Sequence, residues 1–302
     1  MRSASCPACG SESTSLLHRS LRLDLTTHRC RTCGLRFIGE RLDQRQQAEL
    51  YNDEDAYRHF AEAERSVAAV PQRRRDWAGV LSAAIRMEEF ERQHRRRPRL
   101  LDVGCGVGDF LTVARDAGFD AHGIELSAAA AALARQYHQL VVKIGDFASE
   151  DRAGYFDAIT MFGVLEHVRD PAELLSHSSW LLAPGGVLLI YTPVWGAYDR
   201  ISSALARLTG GRWSRLIDRR INTAHLQIFP RMTLLQLARK NGFEIRQAVK
   251  LCEYNLPVAE YLRSIGIESE RIQRAVARAV DALIDNNLFF RNNQRLLLSK
   301  PW

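Results

Sequence analysis

Apolar and polar positions along the chain fall into blocks of different period. Near the start, Leu21-Arg22-Leu23-Asp24-Leu25 alternates as a half-exposed strand does. From about 42 to 99 the chain is polar, rich in arginine and nearly free of glycine and proline, which predicts helices. There Trp77, Val80, Leu81, Ala84 and Ile85 recur at helical spacing until the basic cluster Arg95-Arg96-Arg97-Pro98 ends the run. The segment from Asp53 to Phe60 is the expected hinge.

Beyond Arg99, short apolar runs alternate with helical ones. Leu100, Leu101 and Val103 predict a strand; Phe110, Leu111, Val113 and Ala114 then mark a helix. Further strands are predicted at 121–125, 141–147, 155–162, 187–192, 242–246 and 295–300, with a helix over 171–182. Strand and helix in alternation predict an α/β, doubly wound, Rossmann-like sheet. The expected organisation is residues 1–41 as a cysteine-bearing ribbon, 42–98 as a helical linker or cap, and 99–302 as the main domain. Two insertions interrupt that domain, at about 195–221 and 256–290. In the second, Ile265, Ile267, Ile272, Val276, Val280, Leu283 and Ile284 predict a packed face, either core or a dimer contact.

Composition narrows the class. The 302 residues are 46% apolar and 25% charged, which excludes a disordered or collagen-like chain and a disulfide mini-protein. The opening MRSASCPACG has no apolar run before a cleavage site, so a cytoplasmic location is expected. The charge-free stretch 176–198 is broken by Pro184-Gly185-Gly186 and Pro193 into pieces too short to span a bilayer. The net charge is +7, and only Lys143, Lys240, Lys250 and Lys300 are lysines. Arginine therefore carries nearly all the positive charge, which suits phosphate or carboxylate partners or reflects base composition alone. Arg73-Arg74-Arg75 reads either as a phosphate patch or as a solvated helical face.

Four of the six cysteines form two equal pairs, Cys6-Pro-Ala-Cys9-Gly and Cys30-Arg-Thr-Cys33-Gly. Each pair brings two thiolates to one ion from a tight turn, and four sulfurs complete a tetrahedron with no open position for catalysis. Structural zinc is expected; two disulfides or a redox pair fit the duplicated pattern less well. His18 and His28 are left as spare polar residues.

The richest segment is Leu-Leu-Asp102-Val-Gly104-Cys-Gly106-Val-Gly108-Asp-Phe. Glycines there tighten a strand-to-helix turn and bring amides and a helix N-terminus toward a ligand. Asp102, Glu125 and Asp146 all fall at the carboxyl ends of predicted strands, giving a rim that suits a cation and repels a pyrophosphate.

With GIELS, GDF, FDAITMFGVLEHV, LLAPGGVLLIYTP and GFEI following in order, the chain resembles the class I S-adenosylmethionine (SAM) methyltransferases from about 98 to 300. Another doubly wound nucleotide binder is the competing interpretation. The resemblance implies that Gly104 and Gly106 approach the methionine part of SAM, beside Gly108, and that Glu125, next to Leu126, holds the ribose hydroxyls. Asp146 and Phe147 would flank adenine, and Phe162 would close the site.

The fourth strand lacks the Asn/Asp-Pro-Pro-aromatic and Pro-Cys signatures of nucleic-acid base methylation. Its Leu165-Glu166-His167-Val168 resembles the small-molecule branch, which includes ubiquinone-biosynthesis O-methyltransferases and sugar and natural-product enzymes. His167 is the first candidate base, against a structural role, with Glu166 as a possible orienter. His225, in a segment resembling the branch's His-Leu-x-x-Phe, is the second. The insertion at 195–221 mixes Trp195, Ile201, Leu208 and Trp213 with arginines, and reads as a lid, a contact with an anionic membrane, or a receiver for a phosphorylated acceptor. The cysteine pairs ahead of such a domain resemble sugar and natural-product tailoring enzymes, with Cys33-Gly-Leu-Arg-Phe37 and Tyr51 as matching pieces. The expected activity is methyl transfer to a small-molecule or glycan-linked acceptor, most readily at oxygen. A zinc-ribbon RNA methyltransferase and a SAM-binding regulator without turnover are the alternatives. Oligomeric state is not legible, and a peripheral association with the inner membrane stays open.

Overall fold

The computed structural model describes residues 5–21, 23–40, 71–218, 220–222, 225–251, 262, 267–285 and 291–302. The expected hinge and the linker over 42–70 lie outside the described residues, as do the side chains of Arg73, Arg74 and Arg75 and much of the insertion at 256–290.

The chain begins with strands β1 (Thr14–Ser20), β2 (Leu25–Cys30) and β3 (Arg36–Ile38), followed by helices α1 (Pro71–Ala84) and α2 (Met87–His94). Alternation then sets in with β4 (Arg99–Val103), α3 (Asp109–Asp116), β5 (Asp120–Glu125), α4 (Ala128–His138), β6 (Lys143–Ile144), β7 (Phe156–Phe162), α5 (Pro171–Leu181) and β8 (Leu182–Pro193). Last come α6 (Ala197–Leu208), α7 (Arg215–Asp218), β9 (Gln227–Ile228), α8 (Arg231–Lys240), β10 (Glu244–Leu251), α9 (Glu270–Asp285) and β11 (Asn293–Ser299). No helix among the described residues is long and apolar enough to cross a membrane.

These elements form two compact units. One gathers residues 1–41, 192–234 and 249–294; the other gathers 42–191, 235–248 and 295–302.

The larger sheet has the order β10-β11-β8-β7-β4-β5-β6, and β6, β5, β4, β7 and β8 run parallel. The first strand of the alternation, β4, is thus central. The chain builds outward from it through β5 and β6, then returns to its other side for β7 and β8. That reversal opens a crevice at the carboxyl end of β4. Both faces of the inner strands are covered, and so Leu100, Leu101, Ile159, Met161, Leu188 and Ile190 read as continuous apolar runs. At the opposite end of the strands, buried Asp157 accepts from the two terminal Arg96 nitrogens, at 2.6 and 3.0 Å, and from the Arg99 amide at 2.8 Å.

Three expectations change in detail. The strand at 141–147 shrinks to Lys143–Ile144, with Asp146 and Phe147 in the turn beyond it and Val141 92% exposed, because β6 is an edge with no outer neighbour among the described residues. The Pro184-Gly185-Gly186 break becomes a bulge inside β8: Phe156 pairs with Leu182 and Ala158 with Val187. Leu21, Leu23 and Asp24 lie in the hairpin turn between β1 and β2, and only Leu25 enters a strand. Asp24 there adopts a left-handed φ of 49° and Arg19 reaches its carboxylate at 2.7 Å. Three alternating leucines are too short a pattern to outweigh that turn chemistry.

The smaller unit is built on the sheet β1-β2-β3-β9, with Ile38, Trp195, Ala206, Ile217, Leu226 and Ile228 as its apolar core. Here α6 inverts the usual amphipathic rule. Asp199, Ser202, Ser203 and Ala206 are buried, whereas Ile201 is 61% and Leu208 81% exposed, as is Trp213 in the turn that follows. The buried polar face is satisfied from β1: His18 Nδ1 lies 2.9 Å from Ser203 Oγ and its Nε2 3.1 Å from Thr27 Oγ1, while Ser20 meets Ser214 at 3.3 Å. In α9, Ile272 of the expected packed face is half exposed.

Burial pushes the His18 imidazole down to about 4 from 6.5, with Asp218 opposing, so the fold holds it neutral. Because the unfolded chain binds the proton more readily, this contribution is complete above pH 6.5 and is lost as pH falls toward 4. It amounts to about 3 kcal/mol. With zinc kept saturating, His18→Gln is expected to flatten the fall of the urea midpoint between pH 6.5 and 4.5. Equal slopes in the two proteins would refute this account.

Candidate functional site

In the larger unit the β4–α3 connection is made by Gly104, Gly106 and Gly108, all at positive φ of 64°, 54° and 83°. Any other residue would be strained there. At Gly104 a Cβ would also lie 2.8 Å from Val164, and at Gly108 2.5 Å from Leu140. The turn is held from the next strand. Glu125, at the end of β5, accepts the Gly106 amide on Oε2 and the Ser127 amide on Oε1, both at 2.9 Å. Each carboxylate oxygen keeps a second lone pair for a hydroxyl donor. Burial raises the Glu125 carboxyl, with the amide bonds opposing.

Asp102 lies deeper than its place in the sequence suggests. It is buried and accepts Thr160 Oγ1 at 2.6 Å, and burial pushes its carboxyl up to about 7, with Glu125 adding to the rise. Its influence on a ligand is through charge, and a cation nearby would favour its ionised form. Asp146 is exposed beyond β6 and takes the Ala148 amide on Oδ1 at 2.8 Å, so it starts a short 3-10 turn. Within that turn Phe147 points into the fold, edge-on to His177 with centroids 4.9 Å apart. Leu126 remains half exposed beside Glu125.

Phe162, at the end of β7, joins an aromatic group. Its centroid lies 4.6 Å from Phe110, 6.0 Å from Trp77 and 6.1 Å from Tyr191. Trp77 and Tyr191 escaped the sequence reading as neighbours of this site. The helical spacing that made Trp77 a core position was the available signal. His138 was also missed: its Nε2 lies 2.8 Å from Asp109 in the first turn of α3.

Glu166 and His167 follow β7. Glu166 is buried, and its Oε1 lies 4.0 Å from Nε2 of half-buried His167, whose amide donates to Val164 O at 2.9 Å. His225 belongs to the smaller unit. Its amide donates to Asn222 Oδ1 at 3.0 Å, and its Nδ1 lies 3.3 Å from Arg220 O.

The smaller unit also carries a candidate metal centre. Cys6, Cys9, Cys30 and Cys33 bring their sulfurs within 4.8 Å of one another, with Cys6–Cys33 at 3.5 Å and Cys9–Cys30 at 3.6 Å. Zinc–sulfur bonds of ~2.3 Å in a tetrahedron require sulfur separations of about 3.8 Å. The four thiols therefore fit zinc. The Cys6–Cys33 contact, then burial, raises the Cys6 thiol, and the same contact lowers Cys33. His18 and His28 stay outside this set: His18 bonds Thr27 and Ser203, and His28 stacks on Phe37 at 5.9 Å.

Comparison with known proteins gives one family and a group of relatives. The family described as "methyltransferase domain" matches residues 71–248. A ubiquinone biosynthesis O-methyltransferase of Nitrosococcus oceani is 32% identical over 169 residues, covering 52% of this chain and 67% of that protein. Its counterpart from Aromatoleum aromaticum is 36% identical over 104 residues, or 31% of this chain and 43% of that protein. Among solved structures, a SAM-dependent methyltransferase from Mesorhizobium loti shares 19% identity at a TM-score of 0.47, covering 68% of this chain and 92% of that one. The chain thus spans two thirds of the first relative's length and under half of the second's.

Proposed function

The chain belongs to the methyltransferase-domain family and is a SAM-dependent methyltransferase; from that premise we propose that it methylates an oxygen of a small-molecule or glycan-linked acceptor. The observation that carries the cofactor assignment is Glu125. A buried carboxylate at the strand end, tied to the glycine turn and keeping acceptor capacity, is the chemistry a ribose diol requires. The choice of oxygen is supported by the relatives, which are named as O-methyltransferases. Those relatives do not favour the RNA alternative.

Bound SAM supplies an activated methyl group. Gly104, Gly106 and Gly108 would border its methionine end, and Asp146 and Leu126 its adenosine end. Asp102 would favour its positive charge from beneath. The chain's own task is then to hold an acceptor hydroxyl in line and to take its proton. His167 Nε2 would accept that proton, and buried Glu166, 4.0 Å away, would stabilise the imidazolium that results.

The test is transfer of labelled methyl from SAM into small-molecule, glycan, lipid and RNA fractions of a cell extract. Label in a small-molecule or glycan fraction supports the proposal, label in RNA overturns it, and tight SAM binding without any transfer favours the regulator. With the acceptor in hand, His167→Gln is expected to lower kcat ~100-fold with KM for SAM unchanged, and to remove the acidic limb of the pH profile. An unchanged profile would assign His167 a structural role.

A further inference from the structure

The smaller unit holds buried donors that the fold leaves without acceptors. On β3, Arg36 lies directly opposite Arg29 of β2, a like-charged cross-strand pair that destabilises a sheet unless something neutralises it. The Arg36 guanidinium lies over the Trp195 ring, 5.1 Å from its centroid, and Nη1 donates to the Gly34 carbonyl. Its Nε is buried with no hydrogen-bond partner among the described residues, and the same is true of the Trp195 indole Nε1. Trp195 itself is 6% exposed. Two stacked side chains thus each bury an N–H group without an acceptor, which native interiors rarely tolerate without a ligand or water.

The charge there is also unbalanced. Burial, then Arg29 and Arg200, push the Arg36 guanidinium down to about 10, against the opposing pull of Asp199 and Cys33. Asp199 is held elsewhere, since Arg220 Nε reaches its Oδ1 at 2.8 Å and the Gly196 amide donates to its Oδ2 at 2.8 Å. Arg220 Nη2 donates to the Val194 and Asn292 carbonyls. What remains is a set of donors only, with excess positive charge and a planar guanidinium fork over an aromatic ring. A neutral ligand would leave the charge unmet, and a cation would be repelled. An oxyanion meets both needs.

We propose that Arg36 and Trp195, flanked by Arg29 and Arg200, bind an oxyanion, the phosphate or carboxylate group of a small molecule. This site lies wholly within the smaller unit and does not depend on methyl transfer.

The experiment uses the full zinc-loaded chain. Inorganic phosphate, pyrophosphate and acetate are titrated at ionic strength held constant with chloride, following tryptophan fluorescence and melting temperature. A saturable response to at least one of them is expected. Preference for the phosphates or for acetate identifies which group the site takes. Arg36→Met should weaken that response at least tenfold while zinc stays at one per chain. Because Arg29 and Arg200 are exposed, the Arg29→Ser/Arg200→Ser protein should fold normally and bind several-fold more weakly. No saturable response in the wild-type chain overturns the site, as does unchanged affinity in Arg36→Met. Loss of zinc from Arg36→Met would also overturn it, by making Arg36 a counter-charge to the cysteine cluster. Unchanged affinity in the double variant would remove Arg29 and Arg200 from the proposal.

Discussion

Replacing Glu125 by alanine is expected to weaken SAM binding about a hundredfold, with the larger sheet intact. The carboxylate at the end of β5 is buried and performs three tasks at once. It accepts the Gly106 amide and so holds the glycine turn, accepts the Ser127 amide at the start of α4, and keeps lone pairs for hydroxyl donors. Alanine leaves two amides without their acceptor, each costing about 1–3 kcal/mol where water does not replace it. It also removes the acceptor for the ribose. Glu125→Gln keeps one good acceptor oxygen but turns an N–H₂ toward the other amide, and about a tenfold loss is expected. Calorimetric titration with SAM reads both variants, and circular dichroism checks the sheet. Unchanged affinity in Glu125→Ala would refute the ribose assignment.

Removing zinc should have the larger structural effect, confined to one unit. The strands β1, β2 and β3 have seven, six and three residues, too little to fold on their own apolar burial. Binding of a structural zinc is worth about 10–16 kcal/mol in small metal-folded domains, and there it is the folding free energy itself. Chelation, or Cys30→Ser, is therefore expected to abolish hydrogen-exchange protection in Thr14–Ser20, Leu25–Cys30 and Arg36–Ile38. The loss should extend to residues 226–233. The Ile38 amide donates to Leu226 O, Phe37 pairs with Gln227, and Thr233 Oγ1 donates to the Cys33 carbonyl. SAM affinity should change less than about threefold, since Gly104, Glu125 and Asp146 all belong to the other unit. Metal analysis of a chelator-free preparation should give one zinc per chain; a value well below one, or protection that survives chelation, would remove zinc from this account.

Both expectations began as local patterns. Two Cys-x-x-Cys-Gly turns and a strand-glycine-glycine-glycine-helix turn announce themselves within a dozen residues, because turn geometry and ligand spacing are short-range properties. The central strands were legible for a related reason. Parallel strands covered on both faces must be continuously apolar, and Phe156–Phe162 is buried along nearly its whole length. Where that cover ends the pattern misleads, as at Val141 on the sheet edge.

The insertion at 195–221 marks the boundary. Its amphipathic mixture was evident in the sequence, but the choice of buried face was not. The face packed against β1 is the polar one, because His18, Ser20 and Thr27 on β1 and β2 offer it partners. His18 and Ser203 are 185 residues apart. The deep position of Asp102 on Thr160 and the Arg29–Arg36 pair beside Trp195 arise in the same way. By itself, the sequence determined the metal turn, the cofactor turn and the parallel core of this protein. Tertiary structure alone decided which polar groups meet, since hydrogen bonds and charge pairs act over a few ångströms of space whatever their separation along the chain.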